Sequence, residues 1–224
     1  MRLRITFSKT GSLRYIGHLD LQQIWERTAR RAGLPLSYTQ GFHPGPKIQI
    51  AAALPLGFAG RAEVVDLWLQ EPSAPLSPLP SASAQSLPDM AILQSAAPPG
   101  LTILRIEAVD EHAPALQTQV AAAEYEVVLT EAGYGSDLRR RVEELLAKPS
   151  LPRERRGKPY DLRPLILALD LLPDKEGIRM ILAARESATG RPEEVLAELG
   201  IPLEVTRIER TRLILKDKLQ LTKS

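Results

Sequence analysis

Apolar and polar residues alternate from the start of the chain. Leu3, Ile5 and Phe7 fall on one side of a strand over Arg2–Lys9, with Arg2, Arg4 and Thr6 on the other, which predicts a half-buried strand. The spacing then changes to a helical period. Leu21, Ile24, Trp25, Thr28 and Ala32 form one stripe of a helix predicted over Asp20–Ala32. Asp20 with Gln23 suits a capping box, and Gly33 suits a C-terminal stop. A short strand is predicted at Pro35–Gln40, and two more at Ile48–Leu56 and Ala62–Leu69. Between them, Gly41-Phe-His-Pro-Gly-Pro-Lys47 is dense in Gly and Pro and so predicts a stiff, specifically shaped loop. A helix at Pro88–Ala97 and a strand at Leu101–Val109 complete the first half.

The second half repeats the order. It predicts strands at Tyr125–Leu129, Leu165–Leu172, Ile178–Ala184 and Val205–Leu215, with helices at Ser136–Ala147 and Arg191–Leu199. The resulting β-α-β-β-α-β pattern, written twice, predicts an α+β protein of two tandem ferredoxin-like sandwiches. The expected domains are residues 1–112 and 124–224, joined by a helical connector at 113–123. Residues 70–87 are rich in Pro, Ser and Ala and read as a surface insertion in the first domain.

Composition narrows the chemistry. None of the 224 residues is cysteine, which excludes disulfides, thiolate nucleophiles and thiolate-ligated clusters. There is no Walker loop, no G-x-G-x-x-G and no G-x-S-x-G motif. No apolar run reaches the roughly 18–20 residues of a membrane span, and the N-terminus does not read as a signal peptide. The expectation is a cytoplasmic protein without cofactor or membrane association.

The net charge of +2 conceals an uneven distribution. Residues 1–50 hold eight Lys/Arg and two acids, a balance of +6; residues 51–124 hold two and eight, a balance of −6. A basic block suggests a face for a phosphate backbone. In the predicted topology residues 9–18 lie near 41–47, which would gather Lys9, Arg14, Tyr15, His18, Phe42, His43 and Lys47 on one surface. Cations interleaved with aromatics suit phosphates and unstacked bases. A second candidate lies in Pro152–Arg163, where Arg153, Arg155, Arg156, Lys158, Tyr160 and Arg163 flank a glycine. Arginine forks bind phosphate, and Tyr160 could stack on a base; the plainer alternative is a solvated hairpin. His18, Asp20 and His43 could supply metal ligands, or a histidine a general base, but their spacing is not that of a metal motif.

Three stretches carry a family resemblance. They are Lys9-Thr-Gly-Ser-Leu-Arg-Tyr-Ile-Gly-His-Leu-Asp-Leu21, Arg30-Arg-Ala-Gly-Leu-Pro-Leu36 and Tyr38-Thr-Gln-Gly-Phe-His-Pro-Gly-Pro-Lys-Ile48. Together they resemble the bacterial radical-SAM-linked protein family. Leu54-Pro-Leu-Gly57, Ala123-Glu-Tyr-Glu126, Asp161-Leu-Arg-Pro164 and Arg191-Pro-Glu-Glu-Val195 extend the resemblance over nearly the whole chain except 70–87. Members are encoded beside, or fused to, a radical S-adenosylmethionine protein with a cobalamin-binding-type domain, so the resemblance implies such a protein as partner. That enzyme's cluster needs cysteines, and this chain has none, which makes it the accessory half. The first-half pattern also resembles RNA-processing proteins built from ferredoxin-like repeats, such as CRISPR endoribonucleases, without their glycine-rich C-terminal loop. The expected function is a non-catalytic RNA-binding accessory, holding tRNA or rRNA for modification. The alternatives are a protein–protein adaptor and a histidine-dependent RNA-processing enzyme.

Overall fold

Strand β1 (Arg2–Lys9) packs Leu3, Ile5 and Phe7 completely out of solvent against helix α1 (His18–Arg31). The Trp25 ring meets the Phe7 ring edge-on, with centroids 4.9 Å apart. In the computed structural model of the chain, residues 1–70, 87–135, 137–185 and 188–216 are described. Most of the predicted insertion at 70–87 lies outside them. The chain is mixed α/β, with few helices and mostly antiparallel strand ladders. It divides into two compact units: residues 1–56 with 62–117, and 57–61 with 118–224.

In the first unit, β1 pairs antiparallel with β4 (Leu101–Val109), and β2 (Ile48–Ile50) pairs antiparallel with β3 (Ala59–Trp68). The order is β4-β1-β3, with β2 on β3. Helix α2 (Met90–Ala96) precedes β4, its N-terminus capped by the Asp89 carboxylate, which accepts the Ala91 N–H at 2.8 Å. The strand expected at Pro35–Gln40 is reduced to two isolated bridges, Leu36 to Leu69 and Tyr38 to Pro46. Prolines at 35, 44 and 46 lack the N–H that a ladder needs. The next strand ends at Ile50, short of the predicted Leu56.

The second face of β1 is not solvated as expected. Arg2 and Arg4 are buried and converge on Asp66, which is itself fully buried. Arg2 Nε and Arg4 Nε each donate to the Asp66 carboxylate at 2.9 Å, and Arg2 also donates to the carbonyls of Ala113 and Pro114. Two of the cations counted in the basic block are therefore interior.

The second unit takes its strands in the order β8 (Ile166–Leu171), β9 (Gly177–Arg185), β5 (Val120–Leu129), β11 (Thr206–Leu215), with every neighbour antiparallel. The short β10 (Ala188–Thr189) also pairs with β9. Helices α4 (Leu138–Ala147) and α5 (Pro192–Glu198) bury Val142, Leu145, Val195 and Leu196. The helical connector is only one turn, α3 (Leu116–Gln119), and β5 already starts at Val120. Ala122 and Ala123 are helix formers by propensity, yet they pair with Ala183 and Leu182 on one side and Ile214 and Leu213 on the other. Pairing on both sides overrides a local preference of a few tenths of a kcal/mol. A separate hairpin, β6 (Pro152–Arg155) and β7 (Lys158–Asp161), precedes β8.

Candidate functional site

The first candidate surface begins where β1 ends. Thr10 N–H donates to the Gly100 carbonyl at 2.8 Å, and a 3₁₀ turn follows over Gly11–Tyr15. Lys9 does not join that surface. It is 1% exposed, and its ammonium turns back to donate to the Ile16 carbonyl at 3.1 Å, which holds the turn from inside. Leu13 is buried, whereas Tyr15 is 67% exposed, and the Arg14 guanidinium stands 5.5 Å from its ring centroid. His18 and Leu19 open α1 on the exposed side. The helix starts two residues before the predicted Asp20, which instead accepts the Gly17 N–H at 3.3 Å from the helix's first turn.

The second group sits on the loop before β2. Thr39 N–H donates to the Gly45 carbonyl, and Lys47 N–H to Ser37, closing a hairpin-like loop. Gly41 takes a φ of +137°, and Phe42 and His43 at the tip are exposed, Phe42 completely. Trp68 N–H donates to the Lys47 carbonyl, and Leu69 N–H to that of Met1, so Lys47 lies at the N-terminal end of β1. Lys9 lies at the other end of that strand, about 23 Å away at roughly 3.3 Å per residue. The predicted gathering of Lys9 with Lys47 therefore does not form, because Pro35–Gln40 is not a ladder strand and the second strand is β2, which this loop precedes rather than follows. Helix α1 connects what remains. Gln22, one turn beyond His18, lines a cavity of about 390 Å³ together with Thr39, Pro46, Lys47, Ile48, Gln49 and Trp68. Gln22, Thr39, Gln49 and Trp68 escaped sequence reasoning. Trp68 lies two positions after Asp66 and so shares the polar side of its strand, which was the available signal.

The third group is the basic hairpin, and much of its charge is neutralised. Arg155 donates to both Glu194 oxygens at 2.7 Å and to the Thr189 carbonyl at 2.9 Å, and stacks 4.6 Å from the Tyr160 ring centroid. Burial would lower the Arg155 pKa, but Glu194 more than offsets it and the net shift is upward. Burial, then Glu194, pushes the Tyr160 hydroxyl upward as well. Arg153 pairs with Glu198 at 2.8 Å. Arg163 donates to the Leu146 carbonyl at 2.9 Å, closing the last turn of α4. Arg153, Arg155 and Arg163 are thus structural partners of carboxylates and carbonyls rather than open anion ligands. Only the tip projects. Arg156 (φ +53°) and Gly157 (φ +74°) form the two-residue turn, and Arg156 and Lys158 are exposed.

Among the described residues no group of three or more His, Asp or Glu is arranged to hold a metal, so His18, Asp20 and His43 do not form such a set. Nor is any described helix long and apolar enough to cross a membrane.

The model of one protein family, described as an uncharacterised protein conserved in bacteria (DUF2344), matches residues 2–192. No curated protein matches the chain.

Proposed function

The chain belongs to the DUF2344 family of bacterial proteins, and from that premise we propose a non-catalytic, RNA-binding accessory protein acting in the cytoplasm beside a radical S-adenosylmethionine enzyme. The observation that carries the RNA reading is the pairing of open aromatics with cations on the loops around α1. Tyr15 is 67% exposed beside Arg14, and Phe42 is fully exposed on the loop that leads to the exposed Lys47. Unstacked bases stack on such open rings without sequence preference, and a cation beside the ring adds to that contact. On the second unit, the exposed Arg156 and Lys158 tip offers phosphate contacts of its own. The partner rests on the family resemblance and on the absence of cysteine, which leaves cluster chemistry to another chain.

The fold we propose for this accessory is two tandem ferredoxin-like sandwiches. Both halves run β-α-β-β-α-β, apart from added turns and a hairpin, and the strand orders β4-β1-β3-β2 and β11-β5-β9-β8 support the assignment. In the first half the face of β1 away from the helices holds Arg2, Arg4 and Asp66 out of solvent, so RNA would be held on the loops rather than across the sheet.

A second reading, a protein–protein adaptor, is favoured by Leu19, 73% exposed near Tyr15, and by the neutralisation of Arg153 and Arg155. The test is to combine the purified chain, the neighbouring radical enzyme and tRNA or rRNA fragments. RNA bound by this chain and delivered to the enzyme for modification is the expected result. A stable complex of the two proteins, with no RNA affinity at low salt, would replace the RNA reading by the adaptor reading.

A further inference from the structure

The cavity beside α1 has a lining that selects among ligands. Four of its walls are polar: Gln22, Thr39, Lys47 and Gln49. Some of their capacity is already committed. Gln49 Oε1 accepts the Leu116 N–H at 3.1 Å, and Thr39 Oγ accepts the Gly45 N–H at 3.0 Å. What Gln49 and Thr39 still offer inward is a pair of donors, the amide NH₂ and the hydroxyl hydrogen. Lys47 adds an ammonium, exposed at the surface. The site is therefore rich in donors and suits a ligand rich in acceptors. Trp68 supplies a flat wall. Its ring is held by the Arg2 guanidinium, 4.6 Å from the centroid, and Arg2 is buried, so it grips the ring from inside. A preset aromatic face stacks a planar ring with little ordering cost. The volume, about 390 Å³, is at the small end of the roughly 300–1,000 Å³ typical of ligand pockets. It accommodates one nucleotide and not two.

We infer that this cavity takes a single nucleotide of bound RNA, its base against Trp68 and its phosphate at Lys47, with preference for a base that carries a ring carbonyl over adenine. The inference rests on the RNA reading above for the polymer to which that nucleotide belongs. Uracil and cytosine direct ring carbonyls at the donors of Gln49 and Thr39, whereas adenine has no carbonyl to offer. Phe42, at the tip of the same loop, is free to stack on the neighbouring base.

The experiment uses the full chain and its tryptophan fluorescence. The chain has two tryptophans, and Trp25 is fully buried, so a ligand in the cavity reports through Trp68. UMP, CMP, AMP and inorganic phosphate are titrated separately. Saturable quenching by UMP or CMP is expected, at least fivefold tighter than by AMP, with none by phosphate alone. Lys47→Ala should weaken it at least tenfold. Gln22→Phe, which fills the cavity from the helix side without altering charge, should abolish it while the melting temperature holds. Absence of quenching, equal quenching by AMP, or quenching that survives Gln22→Phe overturns the inference. Single-stranded RNA binding is measured on the same variants. RNA binding lost in Tyr15→Ala but intact in Gln22→Phe retains the RNA reading and overturns the cavity. Pyrimidine nucleotide binding without RNA binding does the reverse.

Discussion

Arg156 holds a backbone φ of +53°, a conformation that costs an L side chain about 1–2 kcal/mol. It is followed by Gly157 at +74°, so the hairpin tip is a turn with both central residues in the left-handed region, where Asn-Gly is the favoured pair. Strain retained at an exposed arginine fits a residue kept for its charge. Arg156→Asn is expected to raise stability by about 0.5–1 kcal/mol. It should also weaken RNA binding, flattening the log–log salt dependence by roughly 0.7 for one lost single-strand phosphate contact. Thermal melting and a salt titration check both. Asp161 is a different case. Its carboxylate accepts the Leu151 N–H at 2.7 Å and the Arg163 N–H at 2.9 Å, which lowers its pKa, against a smaller opposing effect of burial. A depressed carboxylate stabilises the fold above its unfolded pKa, near about 4, and that contribution disappears as pH falls through the lower folded value. Asp161→Asn should therefore be destabilised at pH 7, and the gap to the natural chain should close as pH falls through the lowered folded value in acid-dependent urea melts. None of this division of labour was legible in the sequence. Arg155 and Arg156 are adjacent, yet one is neutralised by Glu194, 39 positions on, and the other projects. Local sequence does not encode a partner that only the fold brings near.

Elements with a strong internal period were legible. Leu101–Val109 has the predicted bounds, and α1 differs from its predicted span by two residues at the start and one at the end. Both keep an apolar face against a core, and that face is written in their own residues. Elements without one were not: Ala121–Ala123 carries no face of its own, and its neighbours alone make it a strand. The turn Gly11–Tyr15 depends on a distant residue as well. Gly100 has a φ of +90°, and a Cβ there would stand 2.5 Å from the Thr10 carbonyl oxygen, a backbone atom that cannot swing aside. Gly100→Ala combines a left-handed penalty with that collision, and about 2 kcal/mol or more should be lost. Because the same contact anchors the Arg14–Tyr15 turn, RNA affinity should fall with it. Chemical denaturation together with RNA titration checks the pair. Melting and affinity equal to those of the natural chain would mean that the turn does not depend on this contact.

At the scale of the whole molecule, charge counted along the chain overstates charge available at the surface. The +6 balance of residues 1–50 includes Arg2, Arg4 and Lys9, all buried, two of them compensated by Asp66 from the acidic stretch that follows. What remains at the surface in that stretch is a sparser set, the exposed Lys47, Arg27, Arg30 and Arg31 with the half-buried Arg14, and Arg30 is itself paired with Glu26 at 2.7 Å. Binding by such a set should depend on stacking as much as on counterion release. The direct measurement is the affinity of the full chain for single-stranded RNA across salt concentrations, for the natural sequence, Lys47→Glu and Tyr15→Ala, with melting temperatures alongside. The account predicts salt-dependent binding, a slope shallower by about 0.7 in Lys47→Glu, and a loss of about 1–3 kcal/mol in Tyr15→Ala, all at unchanged melting temperature. RNA affinity identical in all three chains, with a lowered melting temperature in Tyr15→Ala, would contradict it and identify the ring as a structural support.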